Sequence, residues 1–337
     1  MNVPEFIAVG ENIHCTRSVK SGGVRTTKID GGEGVKFTRN GEDRVLAVPA
    51  NWAEISPPYG DGKIRHVTLA IHQALNGSGD SLSNGRDYLL WAMERQIEKG
   101  AAFLDVNVDE YSIDHARNIE VMKWLVSFLS EQTDTPLCLD SSNVATLTAG
   151  LESCTPGKPL MINSLSLERE DAVEVAQHYS AHAIVSAAGK AILPANVEER
   201  MENFRAIVGI LDKGGMPREK MFLDALVLPI SVDAENGKKF LNASEQARKE
   251  FEGVNLSGGL SNVSFGMPNR KLLNLAFTSL FVEIGGNGGI VDPLQISKSS
   301  LEAFDVESEP AKLARAVLDG TDLYGAEYIS AFREGRL

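Results

Sequence analysis

The chain has 337 residues, 43% of them hydrophobic, enough to bury a large core as one α/β domain or as two smaller ones. A formal charge of −13 works against non-specific attraction to nucleic acid or to an anionic bilayer. The three cysteines, Cys15, Cys138 and Cys154, form neither a CxxC pair nor a secretory framework, and no apolar run approaches a membrane span.

The opening, MNVPEFIAVGENI, puts no basic segment ahead of a leader-like apolar run, so a cytoplasmic protein is expected. Residues 6–13, FIAVGENI, read as a first strand ending in Gly10, Glu11 and Asn12. From Ser18 to about Gly79 the periodicity fails, and SGGV, DGGEG, RNGED, SPPYGDG and NGSGD are turn signals around one apolar phrase, RVLAVP. So long a first loop either orders as a lid or small hairpin or reaches a partner. A helix follows over about 85–99, and Gly100 stops it before AAFLDVNV, the second strand, which carries Asp105 and Asn107. Asp114 can cap a helix running to Ser130.

The third strand, in PLCLDSSN, stops on Asp140, and Asn143 can cap the short helix over 143–152. PLMIN ends on Asn163 and leads to a helix over 168–180. HAIVSAA is followed by a long helix over about 196–214. MFLDALVL contains Asp224 and precedes a helix over about 234–251. VNLSGG runs on to Asn262, a helix covers 269–283, and GGIVD is the eighth strand-like phrase. Residues 310–333 supply closing helices. Eight strands with helices between them predict a (β/α)8 TIM barrel with a long insertion, 18–79, after the first strand, all within a single domain of residues 1–337. A doubly wound sheet would bring an early glycine fingerprint, and none follows the first strands.

The polar residues fall where a barrel delivers side chains to its catalytic rim. Each Asp or Asn can equally cap a helix or close a turn. Taken together, carboxylates and amides suit a nitrogen-rich heterocycle: a carboxylate accepts from an amino group and an adjacent ring N–H, and an amide both donates and accepts. No metal cage is expected, since His14 and Cys15 would need distant partners. A serine triad lacks its nucleophile elbow, and a glycosidase pair is possible only for Asp140 with Asp224.

GENI, FLDVNV, LCLDSSN, MINSLSLE, FLDALVLP and GLSNVSFGMPNR, in that order, resemble the pterin-binding family. The likeness is greatest to the methyltetrahydrofolate:corrinoid protein methyltransferases and to the folate domain of cobalamin-dependent methionine synthase, over residues 6–14 and about 85–293. The resemblance implies a TIM barrel, commonly dimeric, with the pterin in its mouth. Asp140, Asn163 and Asp224 then occupy pterin-binding positions, and Asn107 lines the pocket. Asn262 approaches N5 as the catalytic residue, and Arg270 is the arginine after GLSNVS. Asp105, Glu11 and Asn12 complete the implied substrate site, with no metal. The implied reaction moves a methyl group between N5 of 5-methyltetrahydrofolate and cob(I)alamin. The chain has no DxHxxG phrase, so the resemblance places the cobalamin on a separate corrinoid protein. Two departures, GENIHCTR with its insertion and SAAGKAILP, lie where loops meet the methyl donor or its partner. A dihydropteroate-synthase-like enzyme and a non-catalytic folate-binding or assembly protein are the alternatives.

Overall fold

The computed structural model describes residues 5–337. In chain order, β1 (Ile7–His14) leads into the insertion, which holds β2 (Ser18–Lys20), β3 (Thr26–Ile29), β4 (Gly32–Arg39), β5 (Glu42–Ala47), α1 (Trp52–Ile55) and β6 (Lys63–Arg65). Two helices follow, α2 (His66–Asn76) and α3 (Gly79–Glu98). Strands and helices then alternate: β7 (Ala101–Asn107), α4 (His115–Ser130), β8 (Leu137–Asp140), α5 (Val144–Ser153), β9 (Leu160–Leu165), α6 (Glu170–His178), β10 (His182–Ser186) and α7 (Val197–Lys213). The series continues with β11 (Met221–Asp224), α8 (Asn236–Glu250), β12 (Asn255–Ser257), α9 (Arg270–Glu283) and β13 (Gly288–Val291). Helices α10 (Lys298–Glu302), α11 (Glu309–Leu318) and α12 (Ala326–Arg333) end the chain.

Eight strands form one sheet in the order β12-β11-β10-β9-β8-β7-β1-β13. The ring closes where Ile290 donates its N–H to Gly258 O at 2.9 Å and bridges Gly259 in parallel. This is the (β/α)8 barrel that the sequence predicts. Its strands are short apolar runs because both faces are buried, one by the barrel interior and one by the helices. The expected caps are present: the Asp114 side chain accepts from Ala116 N, and that of Asn143 accepts from Thr146 N.

The described residues group into two compact units. One runs to Gly10 and adds 99–103 and 159–337. The amino ends of its strands are plugged by Phe103, His182 and Phe222, whose rings lie 5.6–6.4 Å apart. Between α8 and α9, Phe240 packs on Phe277 and Phe281 at 5.4 and 5.2 Å.

The other unit comprises 11–98 and 104–158 and contains the whole insertion. Residues 18–79 are regular structure to a degree that the turn signals concealed. β2 and β6 pair antiparallel, Ser18 opposite Arg65, so the insertion leaves and returns side by side. β3, β4 and β5 form an antiparallel sheet, and Asn40 and Gly41 turn its second hairpin with φ of 55° and 78°. Phe37 of this sheet sets its ring edge-on to Tyr88 of α3 at 5.1 Å. Arg39 bonds Asp87 and Glu94, and Arg44 also reaches Asp87.

Helices α2 and α3 cross at Gly85, where a Cβ would fall 2.6 Å from Ala74 N and 2.7 Å from Ala70 O. Those are backbone atoms and cannot step aside. Alanine normally favours a helix over glycine by about 1 kcal/mol. Overpacking against backbone reverses that preference, and Gly85→Ala is expected to destabilise the protein by about 1–3 kcal/mol. A lowered denaturant midpoint at unchanged slope is the readout; an unchanged or raised midpoint contradicts the close approach.

Candidate functional site

The first cluster lies in the unit that carries the insertion. Register sets Asn107 opposite Asp140 and Asp105 opposite Cys138, so the four residues stand on alternate rungs, with Val106 opposite Leu139 between them. Asn107 accepts the Asp109 N–H at its Oδ1 at 3.0 Å, which turns its Nδ2 toward Asp140 Oδ2 at 2.9 Å. Asp105 is 1% exposed and lies against the Cys138 thiol. Burial, then the charges of Asp105 and Asp140, push that thiol well up, so it stays protonated. Cys15 is likewise buried, and its thiol is pushed up to about 12.

His14 completes this cluster; the sequence weighed it only as a metal ligand and gave no sign of its place beside Asp140. Its Nδ1 accepts from Thr16 N at 3.2 Å, which leaves the ring proton on Nε2, 3.6 Å from Asp140 Oδ2. Burial lowers the histidine pKa, but the hydrogen bond and charge of Asp140 outweigh it, and the net shift is upward. Glu11 and Asn12 are less central. The Glu11 carboxylate pairs with Arg17 at 2.6 Å, and Asn12 gives its backbone N–H to Gln96 Oε1 at 3.0 Å. Neighbours on one strand, they face opposite sides of it.

Asp109 was also missed, although it sits only two residues beyond Asn107. Its carboxylate accepts from Ser141 Oγ at 2.5 Å, Ser142 N at 2.7 Å and Ser142 Oγ at 2.8 Å. Those bonds fix the loop immediately after Asp140. Among the described residues no three His, Cys, Asp or Glu side chains gather as a metal site, and no helix is long and apolar enough to cross a membrane.

The second cluster lies in the other unit and centres on Gly259. Asp224, at the end of β11, accepts the backbone N–H of Leu226 at 2.8 Å and that of Gly259. The Asn262 amide rests over the same glycine: a Cβ there would come 2.8 Å from Asn262 Nδ2. Asn262 occupies a 3-10 turn, Leu260–Ser264. Arg270 braces that turn from outside, donating from Nε to Ser264 Oγ at 3.0 Å and from Nη2 to Ser261 O at 2.9 Å, with its guanidinium 4.3 Å over the Phe265 ring. Asn163 sits on β9 opposite Ile184, just before the register shifts.

With these positions established, the comparisons decide the family. The model of the pterin binding enzymes matches residues 73–292, well over half of the chain. The chain belongs to the pterin-binding enzyme family. It is similar to a methylcorrinoid:tetrahydrofolate methyltransferase of Eubacterium limosum, 27% identical over 247 residues that cover 72% of this chain and 86% of the relative. Solved relatives share the fold. A dihydropteroate synthase from Coxiella burnetii in complex with pteroic acid aligns with a TM-score of 0.52 at 13% identity, over 64% of this chain and 84% of the other. That of Stenotrophomonas maltophilia aligns with a TM-score of 0.52 at 16% identity, over 67% and 87%.

In this pterin-binding enzyme the electrostatics of Asp224 are unusual. Burial raises its pKa to about 6, and the two backbone N–H bonds and the charge of Arg200 only partly oppose the shift. Arg200, on α7, is fully buried, and none of its guanidinium nitrogens has a hydrogen-bond partner among the described residues. A carboxylate whose folded pKa exceeds its unfolded value of 3.8 binds more protons in the folded state between those pKa values. Stability from this group therefore falls as pH rises from 3.8 to about 6. The penalty above that window is roughly 3 kcal/mol at most. Asp224→Asn removes it, so the variant is expected to gain stability over the parent near neutral pH and to lose that advantage in acid. Denaturant unfolding at both ends of the window checks this; a gap that does not change with pH contradicts it.

Proposed function

We propose that this chain is a methyltransferase acting between N5 of a tetrahydrofolate and the corrinoid of a separate protein. The observation that carries the reading is the Asn262 amide seated over Gly259 beside Asp224, in a chain whose curated relative is a methylcorrinoid:tetrahydrofolate methyltransferase. When bound by its partner, the corrinoid serves as the methyl carrier. The residues of this chain do the rest.

Asp140 accepts from the amino and ring N–H groups of the pterin. Its carboxylate is aimed by Asn107, and its loop is pinned by Asp109. Asn163 and Asp224 supply further polar contacts to the heterocycle. Asp105 lies beneath Asp140, where it supports the floor of the site.

The methyl group moves without the bonding pair: the pair stays on N5 when the C–N5 bond breaks, and the N5 lone pair forms that bond when a methyl is received. In transfer to the folate, the N5 lone pair takes the methyl and the N5 proton must then leave. In the reverse direction N5 must first gain a proton, because a neutral tertiary amine is a poor leaving centre. Either way N5 is transiently cationic and carries an N–H. The Asn262 carbonyl oxygen accepts from it and stabilises the charge where it develops. An amide cannot supply that proton, so catalysis here rests on orientation and polar stabilisation. The same reading treats residues 1–337 as one pterin-binding domain, 18–79 as a cover or docking surface, Arg270 as a brace for the Asn262 turn, and the protein as a cytoplasmic homodimer.

An anaerobic assay with methyltetrahydrofolate and cob(I)alamin tests the reaction. Loss of cob(I)alamin matched by formation of tetrahydrofolate is expected, and no transfer to free or protein-bound corrinoid sinks the proposal. Asp140→Asn keeps the shape but removes the charge, and should weaken folate binding by roughly 1–3 kcal/mol in calorimetry. Unchanged affinity in a folded variant removes Asp140 from the pterin floor. Asn262→Ala should slow single-turnover transfer at saturating folate by roughly 10- to 1000-fold, about 1.4–4 kcal/mol of barrier. Saturation keeps a binding defect from imitating a chemical one. A wild-type rate would remove Asn262 from the mechanism and leave the pterin assignment standing.

A further inference from the structure

A cleft of about 560 Å³ opens between the insertion sheet and α3, walled by Arg25, Lys36, Phe37, Arg44, Trp91 and Arg95. Its cations divide into two kinds. Arg44 is neutralised by Glu42 and Asp87 and ties the sheet to the helix. Arg25, Lys36 and Arg95 have no carboxylate partner among the described residues, in a chain whose formal charge is −13. An unpaired lysine on a surface is ordinary, and Lys36 is exposed. The two arginines are not: both are half-buried, and both are held in place by groups that carry no charge.

Arg25 donates from Nη2 to the Tyr88 hydroxyl at 2.8 Å, and that hydroxyl lies 3.1 Å from His66 Nδ1. Burial pushes the His66 pKa down to about 3 and raises that of the Tyr88 phenol, so both stay neutral. The Arg95 guanidinium carbon lies over the Trp91 ring, 4.4 Å from its centroid. Each guanidinium is thus oriented but not neutralised. The one carboxylate in the wall, Asp43, accepts from Thr38 Oγ1 at 2.7 Å. Three positive charges against one negative, with fork-shaped donors fixed in direction, match the bidentate geometry of carboxylate and phosphate groups. The volume lies within the roughly 300–1,000 Å³ of small-molecule sites and exceeds what a single ion needs.

We propose that this cleft binds a small molecule carrying several oxyanion groups, either phosphoryl groups or a chain of carboxylates. The strand residues that wall it precede the family match, which begins at residue 73, whereas Trp91 and Arg95 of α3 lie within it, so the insertion and α3 build the site together. The inference does not depend on the methyl-transfer reading.

Calorimetric titration of the full chain with pyrophosphate and, separately, with tri-γ-glutamate tests it. Saturable binding of one probe, weakening as salt is added, is expected, and the probe that binds identifies the phosphoryl or the carboxylate source. R95Q and R25Q should each weaken it by about tenfold or more. Because R25Q also disturbs the Tyr88 contact, K36Q at an exposed position provides an independent variant and should weaken binding by about threefold or more. Tetrahydrofolate affinity of R95Q and K36Q should match the parent, which separates this cleft from the pterin site. No saturable binding of either probe up to about 5 mM, or binding indifferent to all three substitutions, overturns the proposal.

Discussion

Taking a carboxylate out of water costs free energy, and the barrel takes two of them to its strand ends. It compensates for that cost in two different ways. Asp140 keeps partial contact with solvent and receives an amide donor from Asn107 and the imidazole edge of His14. Asp224 is almost closed off and has two backbone N–H groups, with a buried arginine acting only at a distance. The first arrangement surrounds the carboxylate with donors; the second leaves the proton easy to gain and to lose. Much of the surrounding structure serves these two aspartates: the Asp109 clamp and the Asn143 cap fix the chain after one, and the Gly259 turn fixes the chain beside the other.

The barrel was legible because its strands are buried on both faces and so appear as uninterrupted apolar runs. PLCLD and MFLD could hardly be anything else once helical segments lay between them. The insertion was not legible in the same way. Its strands lie on an antiparallel sheet with one face outward, and glycines crowd their ends. KFTRNGEDRV nevertheless holds a hairpin signal, an Asn-Gly pair between alternating residues, that the abundance of turn residues hid. What gives that sheet its place is tertiary: Phe37 against Tyr88 and Trp91, and two arginines bonded to α3.

The same division runs through the candidate site. Asn107, Asp140 and Asp224 stand where a strand stops, so position alone singled them out. His14 depends on how β1 lies beside β7, one strand away from the β8 that carries Asp140, and no local pattern records that. Asp109 gave a weak signal, a second acid just past a polar strand end, and its three bonds to Ser141 and Ser142 appear only once the loops are folded. The close approach at Gly259 is made by the chain's own Asn262, and only the folded turn shows it. Arg270 matched a motif, yet its donors turn back onto the Asn262 turn and the Phe265 ring.

The raised pKa of Asp224 has a thermodynamic corollary for ligand binding. Under the proposed reading, a pterin N–H donor favours the ionised carboxylate, so in mildly acidic solution uptake of the ligand expels a proton into the buffer. The heat of binding then contains the protonation enthalpy of whichever buffer receives that proton. Measured in two buffers of different ionisation heat, one affinity would come with two enthalpies, and their difference would count the protons released at Asp224.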